Sequence, residues 1–292
     1  MNIGIVGLGL IGGSIGLKLQ RLNHTIYGVT NNNFNKKKAI ERNLANFVSC
    51  DLGILKECSL IILALPIKDL INPSKELITV IPKEAIVTDV GSIKEPIINI
   101  WEKIHPLFVG SHPMAGTEGK GVESGFESLL ENSKWIITPT SKTNSNAINV
   151  LTTLITSMQC EIFKASPKEH DVAVSLISHL PIFVASSLIK TANIENNKSL
   201  LDLTQKLAAT GFSDTTRVGG GNSNLGLDLA KNNKENVLNA IRFAKKFGVI
   251  TSCIAGRGGG KACKLVDIPI IIKGSIASIT LTSGSPINAS VS

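Results

Sequence analysis

Short apolar runs alternate with helical stretches along the first half of the chain. Residues 2–6 (NIGIV) form the first run, which ends at Gly7-Leu8-Gly9-Leu10-Ile11-Gly12. Ile15, Leu17, Leu19 and Leu22 then recur at helix-like spacing. A second run over residues 25–30 leads to a polar helix start at Asn35. The alternation continues through a run at 60–65, a helix after Pro66, a run at 85–90, a helix from Ile93 and a run at 107–110. Residues 135–137 and 160–163 read as two further strands, separated by a helix over roughly 143–157. Continuous apolar runs of this kind imply a parallel sheet covered by helices on both faces. The expected fold class is therefore α/β, a doubly wound parallel sheet of the Rossmann type.

The period changes after about residue 165. Ser166-Pro167-Lys168-Glu169 reads as an N-cap, a proline at the first helical position and an acidic first turn. Val172, Leu176, Ile177 and Leu180 follow at helical spacing, and Pro181 should bend this helix by removing a backbone donor. Two more helices are expected, residues 199–209 stopped by Gly211 and residues 233–247 stopped by Gly248. From Ile250 onward the helical period is lost among glycine, serine and β-branched residues. The organisation is thus a dinucleotide-binding domain over 1–165, a mostly α-helical domain over 166–248 and an atypical tail over 249–292. The glycines around GRGGGKACKL do not make a P-loop, because Lys261 stands where the second glycine is required and Ala262 follows it.

Composition narrows the class. With 292 residues, 43% of them hydrophobic, the chain can bury a sizeable core in about two domains, which excludes a mainly disordered or fibrous protein. No run of about 20 apolar residues is free of charge, which argues against a membrane-spanning helix. The N-terminus lacks a basic flank, so no secretory signal is expected and a cytoplasmic location follows. The net charge of +8 invites a nucleic-acid reading, but aromatic residues are only 4% and the lysines are scattered apart from Lys36-Lys37-Lys38. A basic balance also suits an enzyme that draws in small anions. Five dispersed cysteines, with no CxxC pair and no metal-ligand spacing, fit small buried side chains in a reducing compartment and give no metal site.

The turn at residues 7–12 carries the first chemistry. GxGxxG after a strand and at the start of a helix is a dinucleotide-binding fingerprint: Gly7 permits the turn, Gly9 lets the backbone approach a pyrophosphate, and Gly12 lets helix and strand pack closely. Leu8, Leu10 and Ile11 complete the loop, and Leu65 and Pro66 lie at the end of a neighbouring strand, where such ligands bind. An NAD enzyme usually has Asp or Glu at the end of the second strand for the ribose hydroxyl. This chain has Thr30, Asn31 and Asn32 there, with no acid before Glu41. Those side chains can donate to a 2′-phosphate, and Lys36–Lys38 could add charge, so NADP is favoured over NAD.

Three further stretches stand out: DVGSIK at 89–94, SHPMAGTE at 111–118, and ISHLP at 177–181 with GFSDTTRVGGGN at 211–222. Ser92 and His112 both follow strand ends, so both should face the nicotinamide. Together with GLGLIGG, these motifs resemble the prephenate and arogenate dehydrogenases of tyrosine biosynthesis over residues 1 to about 245. The arginine followed by VGGGN and the missing second-strand acid look most like the cyanobacterial, NADP-using arogenate dehydrogenases.

The resemblance implies an oxidative decarboxylation: hydride leaves the ring carbon bearing the hydroxyl, the ring carboxylate departs as CO2, and aromatisation drives the step. It implies that His112 is the catalytic histidine, a role suited to a side chain with an ordinary pKa of about 6.5. Ser92 would orient that histidine and the nicotinamide. Arg217 would grip substrate carboxylate with its planar fork. His179 would line the substrate pocket, Thr117 and Glu118 would sit at its mouth, and Asp214 would orient nearby groups. The resemblance also implies a homodimer with no nucleic-acid or membrane partner.

Two departures stand out. Ser213 occupies a position that is usually Arg or Lys, and the tail beyond about 248 lacks the family's closing amphipathic helices, as a divergent ending or a shifted reading frame would both produce. Arogenate and prephenate both remain open as substrates. The alternatives are a β-hydroxyacid-type dehydrogenase, which would leave SHPMAGTE unexplained, and a cofactor-binding protein impaired by its tail.

Overall fold

The computed structural model describes residues 1–193, 197–221, 223–246, 252–256 and 268–272. The chain divides into two compact units, Met1–Asp171 and Val172–Ser292.

In the first unit, β1 (Asn2–Val6), α1 (Leu10–Arg21), β2 (Thr25–Val29), α2 (Asn33–Glu41) and β3 (Phe47–Ser49) precede β4 (Leu60–Leu63). Short helices α3 (Ile67–Ile71) and α4 (Lys75–Val80), then β5 (Ile86–Asp89), α5 (Glu95–Ile104) and β6 (Phe108–Val109), complete a six-stranded sheet in the order β3-β2-β1-β4-β5-β6. Every pairing in it is parallel. The apolar runs are apolar because both sheet faces are covered: Ile3, Ile5, Leu60 and Leu63 are fully buried, as are Ile15 and Leu19 on the inner face of α1.

The next strands depart from expectation. β7 (Ser111–Met114), β8 (Lys134–Ile137) and β9 (Glu161–Lys164), with α6 (Ser145–Ser157) between the last two, form a separate three-stranded sheet. β7 and β8 are antiparallel, so this sheet is mixed rather than an extension of the parallel one. The apolar run at 107–110 holds β6 and ends at Gly110, directly before β7, where an added Cβ would lie 2.7 Å from Ile98 and 2.8 Å from Thr138. That close packing turns the chain from one sheet into the other.

α7 (Pro167–Val174) begins with the expected cap. The Ser166 hydroxyl accepts from the Glu169 N–H at 3.2 Å, and the Glu169 carboxylate accepts from the Ser166 N–H at 2.9 Å. Hydrogen bonding to the carboxyl from the Ser166 side chain, and then from its backbone N–H, holds Glu169 below its ordinary range.

In the second unit a π-helical turn, Ser175–His179, leads into α8 (Leu180–Ala192). The irregularity expected from Pro181 thus falls in the turn before it, where the missing proline donor leaves the ladder free to shift register. α9 (Lys198–Leu207) and α10 (Thr210–Thr216) follow. Gly211 does not stop a helix; it lies inside α10, and the break falls at Ala208-Ala209, both outside helices. α11 (Ser223–Asn232) was not anticipated, and α12 (Lys234–Lys246) matches the last expected helix, whose Gly248 stop lies outside the described residues. Within the tail, β10 (Ser252–Gly256) pairs in parallel with β11 (Ile268–Ile272). Lys261 and Ala262 lie outside the described residues.

The helical segment Pro167–Ala192 is long and apolar enough, by length and composition alone, to cross a membrane. Residues 172–189 carry no Asp, Glu, Lys or Arg, a span just short of the 20 positions that the sequence criterion required.

Candidate active site

The strand order places the switch point between β1 and β4, and open α/β sheets bind ligands beyond the carboxyl ends of the strands there. The β1 end supplies Gly7–Gly12. Gly7 has φ +98°, a conformation that costs a side chain but not glycine. A Cβ on Gly12 would lie 1.9 Å from the Gly7 carbonyl oxygen, so only glycine lets α1 start this close to β1. Gly9 differs: nothing lies within 4 Å of its would-be Cβ. That open face, at the N-terminus of a 12-residue helix, suits a pyrophosphate approached by backbone N–H groups. The Leu8 side chain turns inward and is 3% exposed, so only its backbone can serve a ligand. Leu10 and Ile11 are half-buried. At the β4 end, Leu65 is half-buried and Pro66 exposed, immediately before α3.

The β2 end carries Thr30, Asn31 and Asn32. Thr30 is buried, and its N–H donates to Ser49. Asn32 caps α2 by accepting from the Asn35 N–H at 2.8 Å, while Asn31 Oδ1 accepts from the amides of Asn32 and Asn35. Asn31 and Asn32 are exposed, and the next acid along the chain is Glu41. Lys38 is engaged with Glu41 and Glu123, each at 3.5 Å, so of the three lysines only Lys36 and Lys37 are without an ion pair among the described residues.

Ser92 follows β5 in the turn before α5. Its Oγ is buried and has no hydrogen-bond partner among the described residues, a polar atom left for a bound group to satisfy. The residues present therefore fit a dinucleotide: an open glycine face for phosphates and an orphaned hydroxyl beyond the next strands.

His112 lies on β7. On α7, His170 meets it: His112 Nδ1 stands 2.9 Å from His170 Nε2, with the rings edge to face. His170 Nδ1 in turn lies 2.8 Å from Asp171 Oδ1. Asp171 accepts the Lys94 N–H at 2.7 Å and the Glu95 N–H at 2.9 Å, and so caps α5 from a distant part of the chain. Sequence reasoning missed both residues; an adjacent His-Asp pair in the first turns of a helix carries no local signal of its partners.

Beneath this network is a second missed group. Lys94 is fully buried and ion-paired with Asp89, and its Nζ also donates to the Ser111 carbonyl at 2.6 Å. Burial pushes the Lys94 ammonium below its ordinary range, against the opposing pull of the Asp89 carboxylate. Asp89 also accepts the N–H groups of Gly91 at 2.8 Å and Ser111 at 3.2 Å. This cluster ties the end of β5 to the start of β7, and so holds Ser92 and His112 on one frame.

Thr117 and Glu118 lie in the exposed stretch after β7. Arg42 anchors the far side of that stretch, donating to the carbonyls of Val122 and Gly125 at 2.6 Å each, and the Phe126 N–H donates to Ser14 Oγ on α1 at 2.9 Å.

The remaining predicted residues belong to the second unit. His179, 1% exposed, ends the π turn, and its Nδ1 lies 2.9 Å from Asn233 Nδ2. Asp214 lies on α10, and Arg217 opens the short 3-10 turn Arg217–Gly220; both are exposed. The glycines after Arg217 have a packing reason. A Cβ on Gly219 would meet the Ser186 nitrogen at 2.4 Å, so the turn lies directly on α8.

The chain is similar to the Synechocystis arogenate dehydrogenase crystal structure, at 37% identity over 85% of this chain and 89% of that one, with a TM-score of 0.69. It is similar to the Aquifex aeolicus prephenate dehydrogenase solved with hydroxyphenyl propionate and NAD+, at 30% identity over 85% and 88% of the two chains and a TM-score of 0.77. The prephenate dehydrogenase of Bacillus subtilis is 33% identical over 246 residues, which are 80% of this chain and 64% of that protein's length. Residues 15–164 match the nucleotide-binding domain of prephenate dehydrogenase and residues 166–258 match its dimerization domain, so the chain belongs to the prephenate dehydrogenase family.

Proposed function

We propose that this chain is an NADP-dependent arogenate dehydrogenase that converts arogenate to tyrosine with loss of CO2, and that it also accepts prephenate, giving 4-hydroxyphenylpyruvate. The observation that carries the reading is the convergence, on the carboxyl edge of one parallel sheet, of the glycine turn after β1, Ser92 after β5 and His112 just beyond β6. Family membership supplies the chemistry that this edge would serve.

The preference for NADP rests on the end of β2. A carboxylate there would repel a 2′-phosphate, whereas exposed Asn31 and Asn32 at the start of α2 offer amide donors with Lys36 and Lys37 close in sequence. A bound nicotinamide would supply the hydride acceptor. His112 takes the proton of the ring hydroxyl, Ser92 supplies a hydroxyl to the bound groups, and Arg217 anchors a substrate carboxylate. His179 and Asp214 organise the substrate side, and Thr117 and Glu118 its mouth. The resemblance to the Synechocystis enzyme supports arogenate as the preferred substrate.

The protein acts as a cytoplasmic homodimer in this reading. Val172, Leu176, Ile177, Val184 and Leu188 lie exposed along the helical segment 167–192, which suits burial against a second copy better than solvent. The match of residues 166–258 to a dimerization domain supports the same assignment.

The test is a four-way assay of reduced-cofactor absorbance, with arogenate or prephenate against NADP+ or NAD+. The highest kcat/KM is expected for arogenate with NADP+. A preference for NAD+ would overturn the cofactor assignment, a preference for prephenate the substrate assignment, and inactivity in all four combinations the function itself.

A further inference from the structure

We infer that His170, held by Asp171, is a positioning residue that fixes which ring nitrogen of His112 carries the proton; the inference rests on the reading of His112 as the base.

Asp171 is the member of this hydrogen-bonded chain whose role is unambiguous. A carboxylate has only acceptors to offer. Those of Asp171 receive the backbone N–H groups of Lys94 and Glu95, and face His170 Nδ1 at 2.8 Å. Nδ1 of His170 must therefore carry a proton. In a neutral imidazole the other nitrogen is then an acceptor, so His170 Nε2 presents a lone pair. That lone pair faces His112 Nδ1 at 2.9 Å, and two lone pairs cannot face each other at that distance. His112 Nδ1 is consequently the donor. Neutral His112 then carries its proton on Nδ1 and its basic lone pair on Nε2.

The edge-to-face arrangement of the rings, with centroids 5.1 Å apart and planes at 71°, fits this one-directional chain. The proton balance is simple. As hydride leaves the ring carbon and CO2 departs, the hydroxyl proton passes to His112 Nε2. The imidazolium so formed stays hydrogen-bonded through Nδ1 to His170, whose own Nδ1–H remains on Asp171. No proton needs to move along the chain; its work is to choose the tautomer and to give the developing charge a polarised partner. His170 is 2% exposed and Asp171 1%, so water does not compete for either hydrogen bond.

The experiment is 15N NMR of the imidazole nitrogens in uniformly labelled protein, at a pH where both rings are neutral, with His112→Asn as the assignment control. The wild type should show His112 protonated at Nδ1 and His170 protonated at Nδ1. In His170→Leu the His112 proton should move largely to Nε2, and kcat should fall about 100-fold while KM changes less than about twofold. His170→Gln, which can place a carbonyl oxygen near the lost Nε2, should recover about tenfold of that loss. A wild-type spectrum with His112 protonated at Nε2 overturns the inference, whether or not the variants fold. So does a folded His170→Leu that keeps its kcat within about twofold. If the wild type oxidises neither substrate, the proposed function fails, and the spectrum still decides the tautomer.

Discussion

Removing the Lys94 ammonium tests whether the buried frame beneath the candidate site is as demanding as its geometry implies. In Lys94→Met the Asp89 carboxylate loses the cation it touches while both positions remain fully buried. Breaking a buried ion pair from one side costs about 3–5 kcal/mol, because an uncompensated charge is left behind. Asp89 keeps two backbone donors, Gly91 and Ser111, which places the expected cost near the lower end, about 3 kcal/mol. Of a total stability of about 5–15 kcal/mol, that is a large fraction. For a unit of this size it corresponds to a fall in Tm of about 6–12 °C.

The assay is urea unfolding followed by tryptophan fluorescence. Both tryptophans of the chain, Trp101 and Trp135, lie buried in the first unit, so the signal reports that unit alone. Adding Asp89→Asn to Lys94→Met removes the orphaned charge and should restore part of the loss. A single variant destabilised by less than about 1 kcal/mol would refute the reasoning, since no burial-based account of the pair could then hold.

Two further outcomes follow from the geometry. Gly12→Ala should destabilise the first unit by about 1–3 kcal/mol or more, because its Cβ meets a backbone oxygen that cannot step aside; Gly9→Ala should leave unfolding unchanged yet weaken NADP+ binding tenfold or more, about 1.4 kcal/mol, read by a fluorescence titration. Stability should also fall as the pH drops below the unfolded-state histidine value of about 6.5. Burial lowers the pKa of His105 in the fold, so the unfolded chain binds the extra proton. The neutral ring donates from Nε2 to the Pro82 carbonyl and accepts the Leu107 N–H at Nδ1, and protonation would set two donors against each other. The urea midpoint of His105→Asn should therefore change less between pH 7.5 and pH 5.5 than that of the wild type, and equal changes would show that His105 does not carry the effect.

Local chemistry was legible in the chain. The glycine turn, the apolar runs of β1, β2, β4 and β5, the capped start of α7 and the positions of Ser92 and His112 all depend on residues a few places apart. Period, capping and turn chemistry act over that distance, so a sequence displays them. The second sheet was not legible, because a strand carries no mark of which neighbour it will pair with. Gly110 redirects the chain only through its contacts with Ile98 and Thr138, 12 and 28 positions away. The same holds at the site: His112 meets His170 across 58 positions, and Asp171 caps α5 from 77 positions beyond Lys94. The residue types were visible all along. Burial and tertiary packing alone decided that a histidine should choose another histidine's proton, because hydrogen bonds form between groups that folding brings together, and the identity of a partner so far along the chain is a property of the fold.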